Sequence, residues 1–139
     1  MPTGRVLLAD DDVDFQEAVR LALEAHGYEV MSAHSAAEAI ALAAGHPLDA
    51  AVLDMMMEEP DAGAMAARHL RRQPGLAHLP IILLTSVAER TGFRVSLETP
   101  EDREWLGADA WMDKPVSPGD LVNRIEELRR ARRAQDTEQ

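Results

Sequence analysis

At 139 residues, 46% of them hydrophobic and 28% charged, the chain has the size and composition of one globular domain. A net charge of −11 opposes the backbone of nucleic acid, and the absence of cysteine excludes disulfides, thiolate metal sites and thiol catalysis. No apolar stretch approaches membrane-spanning length, so the sequence predicts a cytoplasmic protein with neither nucleic acid nor membrane as partner.

The first apolar run is Val6-Leu7-Leu8-Ala9, stopped by Asp10. Phe15, Val19, Ala22 and Leu23 then recur at helical spacing, and Gly27 should end that helix. Tyr28 to Met31 is a weaker strand candidate. Ser35-Ala36-Ala37-Glu38 reads as a capping box opening an Ala-rich helix that stops near Gly45. Ala50-Ala51-Val52-Leu53, closed by Asp54, is the second strong run, and Asp61 to Arg72 make a helix broken by Pro74-Gly75. Ile81-Ile82-Leu83-Leu84, closed by Thr85, is the third. Thr99-Pro100-Glu101-Asp102 places a cap residue before a first-turn proline and predicts another helix. Ala110 to Met112 is a second weak strand. Ser117-Pro118-Gly119-Asp120 opens the last helix, with Leu121, Ile125 and Leu128 on one face and Arg129, Arg130, Arg132 and Arg133 at its end. The alternation predicts an α/β domain over residues 1–135, a parallel sheet with helices on both faces, followed by a short polar tail over 136–139.

Ligands of open parallel sheets bind at the carboxyl ends of the strands. Those ends carry Asp10, Asp11, Asp54, Thr85 and Lys114. Clustered carboxylates call for a cation, and hard oxygen ligands without cysteine suit Mg2+. Lys114 is the only lysine beside thirteen arginines. A compact ammonium suits close contact with a phosphoryl oxygen better than a planar guanidinium does. With Thr85 beside it, the pocket fits a phosphoryl group, and an aspartate there can act as nucleophile.

On these residues (the acidic run Asp10-Asp11-Asp12, Asp54 in Val52-Leu53-Asp54-Met55-Met56-Met57, Thr85 after its apolar run, and Lys114-Pro115) the chain resembles a response-regulator receiver domain of two-component signalling over nearly its whole length. The resemblance implies a flavodoxin-like (βα)5 fold with a five-stranded parallel sheet in the order 2-1-3-4-5. It further implies that Asp54 is the phosphoacceptor. Asp11, Asp54 and the main-chain carbonyl of Met56 would coordinate Mg2+, with Asp10 assisting through water. Thr85 and Lys114 would hold phosphoryl oxygens, Thr85 and Trp111 would act as switch residues, and the Lys114-Pro115 bond would be cis. Implied partners are a sensor histidine kinase or histidine phosphotransfer protein and a downstream protein target. The chain would act as a stand-alone monomer or phosphorylation-dependent dimer, without separate substrate turnover.

Three features depart from the family pattern. Glu58 stands where proline is common, Ala62 where Asp-Gly usually follows, and Ser86 to Leu106 is longer than usual, with Thr91-Gly92-Phe93-Arg94 either a partner-binding loop or a tolerated insertion. Two other functions compete. One is a receiver-like interaction module that takes no phosphate. The other is a haloacid-dehalogenase-like phosphatase, suggested by the Asp-x-Asp of Asp10-Asp11-Asp12 but opposed by Val13-Asp14 where Gly-Thr usually follows.

Overall fold

An apolar run without alternation has no face to turn to solvent, so it needs cover on both sides. The computed structural model, which describes residues 3–59, 61–85 and 107–138, supplies that cover. β1 (Gly4–Ala9), β2 (Tyr28–Ala33), β3 (Ala50–Asp54), β4 (Ile81–Thr85) and β5 (Ala110–Asp113) form one parallel sheet in the order β2-β1-β3-β4-β5. Around them run α1 (Val13–Ala25), α2 (Ala36–Ala43), α3 (Ala62–Arg71) and α4 (Pro118–Glu138). This is the expected α/β architecture and strand order. The helix expected from Thr99 and the loop Thr91-Gly92-Phe93-Arg94 fall within 86–106, outside the described residues.

Successive strand residues point to opposite faces, so each strong run feeds two cores. Val6, Leu8, Val52, Ile82 and Leu84 pack with Val19, Leu23, Leu121 and Ile125 on the α1–α4 side. Leu7, Ala9, Leu53, Ile81 and Leu83 pack with the alanines and Leu70 of α2 and α3 on the other. Each fully buried Leu or Ile contributes about 2 kcal/mol. The weak strand signals belong to the two sheet edges. Exposed Glu29 interrupts the apolar run of β2, and β5 is only four residues long and ends in exposed Asp113, yet both strands pair.

The helix signals mostly hold. Asp12 caps α1 by accepting from the Phe15 amide at 3.1 Å, and Ser117 Oγ accepts from the Asp120 amide at 3.1 Å in the first turn of α4. Gly27 follows α1 and Gly45 follows α2 with φ of 89° and 79°, the left-handed turn that stops a helix. His26 and His46 close the same two ends, each bringing Nδ1 to the carbonyl four residues back, at 2.9 and 2.7 Å. α4 is the exception, because it runs on to Glu138, past the arginines that marked its expected end. Ala134, Gln135 and the residues after them include no helix breaker. The arginines work across the fold instead. Arg129 reaches the Thr3 carbonyl, the Tyr28 hydroxyl and Asp49 at 3.3, 3.2 and 3.6 Å, while Arg132 lies 3.6 Å from Asp109.

Candidate phosphoryl and metal site

Strand register brings the predicted residues to one edge. Ala9 pairs with Leu53 and Asp54 with Leu84, so Asp10 follows β1 level with the end of β3. Thr85 pairs with Asp113, which places Lys114 one residue beyond on the neighbouring strand. Ligand oxygens of Asp10, Asp11 and Asp54 all lie within 4.8 Å of one another. Asp10 and Asp54 are buried and Asp11 is exposed, so the cluster opens to solvent on one side.

Lys114 is the cation set against this cluster. Its Nζ donates to Asp54 Oδ2 at 3.1 Å and lies 3.2 Å from Asp10 Oδ2. The Phe15 ring sits beneath the ammonium, 5.4 Å from Nζ to centroid. Burial alone would lower the Lys114 pKa, but the charges of Asp54 and Asp10 and their hydrogen bonds raise it above the ordinary lysine value. Lys114 is therefore cationic throughout the neutral range. Among the described residues a single ammonium faces three carboxylates and leaves an excess of negative charge, with the Lys114 ammonium at 3.2 Å the one charged contact of buried Asp10 Oδ2. An oxygen-only ligand set with such excess charge fits a hard divalent cation such as Mg2+.

The remaining predicted residues surround the cluster. Thr85 is fully buried, and its hydroxyl makes a long 3.4 Å contact with Asp113 Oδ1. Its carbonyl accepts from the Lys114 amide at 2.7 Å, and the Lys114-Pro115 bond is cis as expected. Met56 is an exposed residue of the loop after β3. Trp111 pairs with Leu83 and packs against the α2–α3 core.

Four supporting residues escaped the motif reading. Buried Gln16 donates from Nε2 to the Asp10 carbonyl at 2.8 Å and also to the Ala33 carbonyl, tying the ends of β1 and β2 to α1. Gly63 packs directly against the backbone of Asp54 and Met55 at the end of β3. Phe15 counted only as an apolar helix position. Glu58, noted merely as a departure, spans to α2. Their partners lie 6 to 22 residues away where hydrogen bonds define them, so no local spacing signals them.

For the phosphoryl transfer that the resemblance implies, Lys114→Arg is expected to slow the reaction about tenfold, roughly 1.4 kcal/mol in barrier, although charge is kept. A planar fork cannot hold a point contact with both Asp54 and Asp10 in a partly buried pocket. Timed phosphorylation of the variant checks this, and a wild-type rate would show that any cation suffices.

Comparison with known proteins identifies the family. Residues 6–126 match the family model described as a response regulator receiver domain. The phosphate regulon transcriptional regulatory protein PhoB of Pseudomonas aeruginosa is 32% identical over 133 residues, an alignment covering 96% of this chain and 55% of that protein. The response regulator MprA of Mycobacterium ulcerans is 36% identical over 137 residues, covering 96% and 53%. The chain thus spans about half the length of the curated relatives it matches. Among solved structures, the chemotaxis response regulator CheY4 of Vibrio cholerae superposes with a TM-score of 0.74 at 27% identity, covering 89% of this chain and 97% of that one. A CheY-like receiver domain protein from Methanospirillum hungatei gives 0.77 at 27%, covering 94% and 97%.

Proposed function

The chain belongs to the response regulator receiver domain family of two-component systems, and from that premise we propose that Asp54 is its phosphoacceptor. The observation that carries the reading is the buried Asp54 carboxylate, held 3.1 Å from Lys114 beside two further aspartates at the strand ends. A sensor histidine kinase or histidine phosphotransfer protein supplies the phosphoryl group. The phosphorus–nitrogen bond of the donor's phosphohistidine breaks as an Asp54 oxygen–phosphorus bond forms, and the imidazole leaves with the electron pair. Asp10, Asp11, Asp54 and the Met56 carbonyl would hold Mg2+, which would neutralise charge on the transferring group. Lys114 exchanges part of its contact with Asp54 for a phosphoryl oxygen, and the Thr85 hydroxyl takes another. The cleft lined by Asp12, Phe15, Lys114, Pro115 and Val116 opens beside the ammonium and offers the donor an approach.

Occupancy of the site then biases Thr85 and Trp111 and so alters the surface shown to a downstream protein, as a monomer or through a phosphorylation-dependent dimer. The protein acts in the cytoplasm, and no described helix is long and apolar enough to cross a membrane. No separate substrate is turned over.

Beryllofluoride, a stable mimic of the phosphoryl group, tests the reading by calorimetry. Saturable binding that requires both Mg2+ and Asp54 is expected, with no turnover of a generic phosphate ester. Absence of binding would favour an interaction module that takes no phosphate, and steady ester hydrolysis would favour a phosphatase.

A further inference from the structure

Glu58 occupies the acceptor loop two residues beyond Met56, and both its carboxylate oxygens leave that loop. Oε1 accepts from the Ala36 amide at 2.8 Å and Oε2 from the Ala37 amide at 3.1 Å. These are the first two residues of α2, whose amides have no partner within the helix. The capping box read from Ser35 and Glu38 is only half formed. Ser35 Oγ accepts from the Glu38 amide at 3.1 Å, but Glu38 Oε2 makes its contact with the His34 amide, at 3.4 Å. Glu58 thus satisfies donors that local sequence leaves open.

The other end of this junction is tied as well. The Ala33 carbonyl, where β2 gives way to α2, accepts from Gln16 Nε2 and from the Asp10 amide, the latter at 3.1 Å. The segment Ala33–Ala37 therefore touches the acidic loop after β1 through Gln16 and Asp10, and the acceptor loop after β3 through Glu58. Within that loop the Glu59 carbonyl accepts from the Met57 and Ala62 amides, both at 3.2 Å, so a pull at Glu58 is transmitted along a short, internally bonded turn. Burial disfavours the Glu58 carboxylate, yet the Ala36 amide, its own amide and the Ala37 amide together outweigh it and hold its pKa below the ordinary value.

We propose that Glu58 is a positioning residue that straps the acceptor loop to the amino terminus of α2 and so presents the Met56 carbonyl to the divalent cation. This rests on the metal-binding reading above. Where other receivers carry proline, a stiff residue that removes a donor, this chain reaches across to a neighbouring helix instead.

The test is Mg2+ titration at 0.15 M salt, followed by amide NMR, on wild type, Glu58→Ala, Ser35→Ala and Glu59→Gln. Glu58→Ala is expected to bind Mg2+ about tenfold more weakly, at the lower end of effects from residues supporting metal ligands. In wild type the Ala36 and Ala37 amide signals should shift along the same titration curve, and in Glu58→Ala they should not. Ser35→Ala loosens the same helix end without touching the loop, and Glu59→Gln removes a loop charge without touching the helix; both should bind Mg2+ as wild type does. Unchanged affinity in Glu58→Ala, or an equal loss in either control, overturns the strap. Failure of the underlying reading looks different, since wild type would then bind no better than Asp54→Ala.

Discussion

Replacing Arg71 with alanine is expected to lower the stability of the domain by about 3 kcal/mol. Arg71 closes α3, and its guanidinium joins three segments at the amino-terminal side of the sheet. Nε donates to the Gly107 carbonyl at 2.8 Å, Nη1 to Ala77 and Leu79 carbonyls at 3.2 and 2.8 Å, and Nη2 to Asp109 at 2.8 Å. Asp109 in turn accepts from the Ile81 amide at 2.9 Å, so one ion pair fixes the start of β4 and the approach to β5. The two side chains are only 22% and 25% exposed, which separates this pair from surface pairs worth under about 1 kcal/mol. Arg71→Lys keeps the charge but cannot reach four acceptors, so it should recover less than half of the loss. Denaturant titration of both variants checks this. A loss below about 1 kcal/mol in Arg71→Ala would mean that the network is no stronger than an exposed contact.

Gly63→Ala is expected to destabilise by about 2 kcal/mol, roughly 8 °C in Tm, and to impair phosphorylation at the same time. In an open helix the same change stabilises by about 1 kcal/mol, because glycine is the weaker helix former. Here a Cβ would stand 2.3 Å from the Asp54 carbonyl oxygen and 2.8 Å from Met55 Cα. Both neighbours are backbone, so no rotamer change relieves the overlap. The Gly63 amide also donates to the Met55 carbonyl at 2.9 Å, and separation of α3 from β3 would strain that bond. The cost falls on Asp54, the proposed phosphoacceptor. A variant as stable as wild type, or more so, would show that α3 shifts freely and does not seat the acceptor.

The site-bearing residues were legible because each ends an apolar run. Asp10, Asp54 and Thr85 mark where buried strands stop, and a parallel sheet delivers those stops to one edge. Lys114 was legible through composition, as the only lysine. The edge strands read weakly because exposed Glu29 interrupts β2 and β5 is only four residues long, and the end of α4 was misplaced because Arg129, which clamps Thr3, Tyr28 and Asp49, and the arginines after it imitate carboxyl-terminal cations. What could not be read was the support beneath the site. Gln16 is one polar residue on an otherwise apolar helix face, Gly63 a glycine in a helical pattern, and Glu58 a departure from a familiar motif. Each acquires meaning only from a partner that folding brings near, the Asp10 carbonyl, the Asp54 carbonyl and the Ala36 amide respectively.

The most direct measurement is intact-protein mass spectrometry after incubation with acetyl phosphate and Mg2+, on wild type and Asp54→Asn. Wild type should gain a single phosphoryl increment that chelation of the metal prevents, and Asp54→Asn, with Lys114 and the other aspartates in place, should gain none. An unlabelled wild type, or an equally labelled Asp54→Asn, would contradict the assignment of Asp54 as phosphoacceptor.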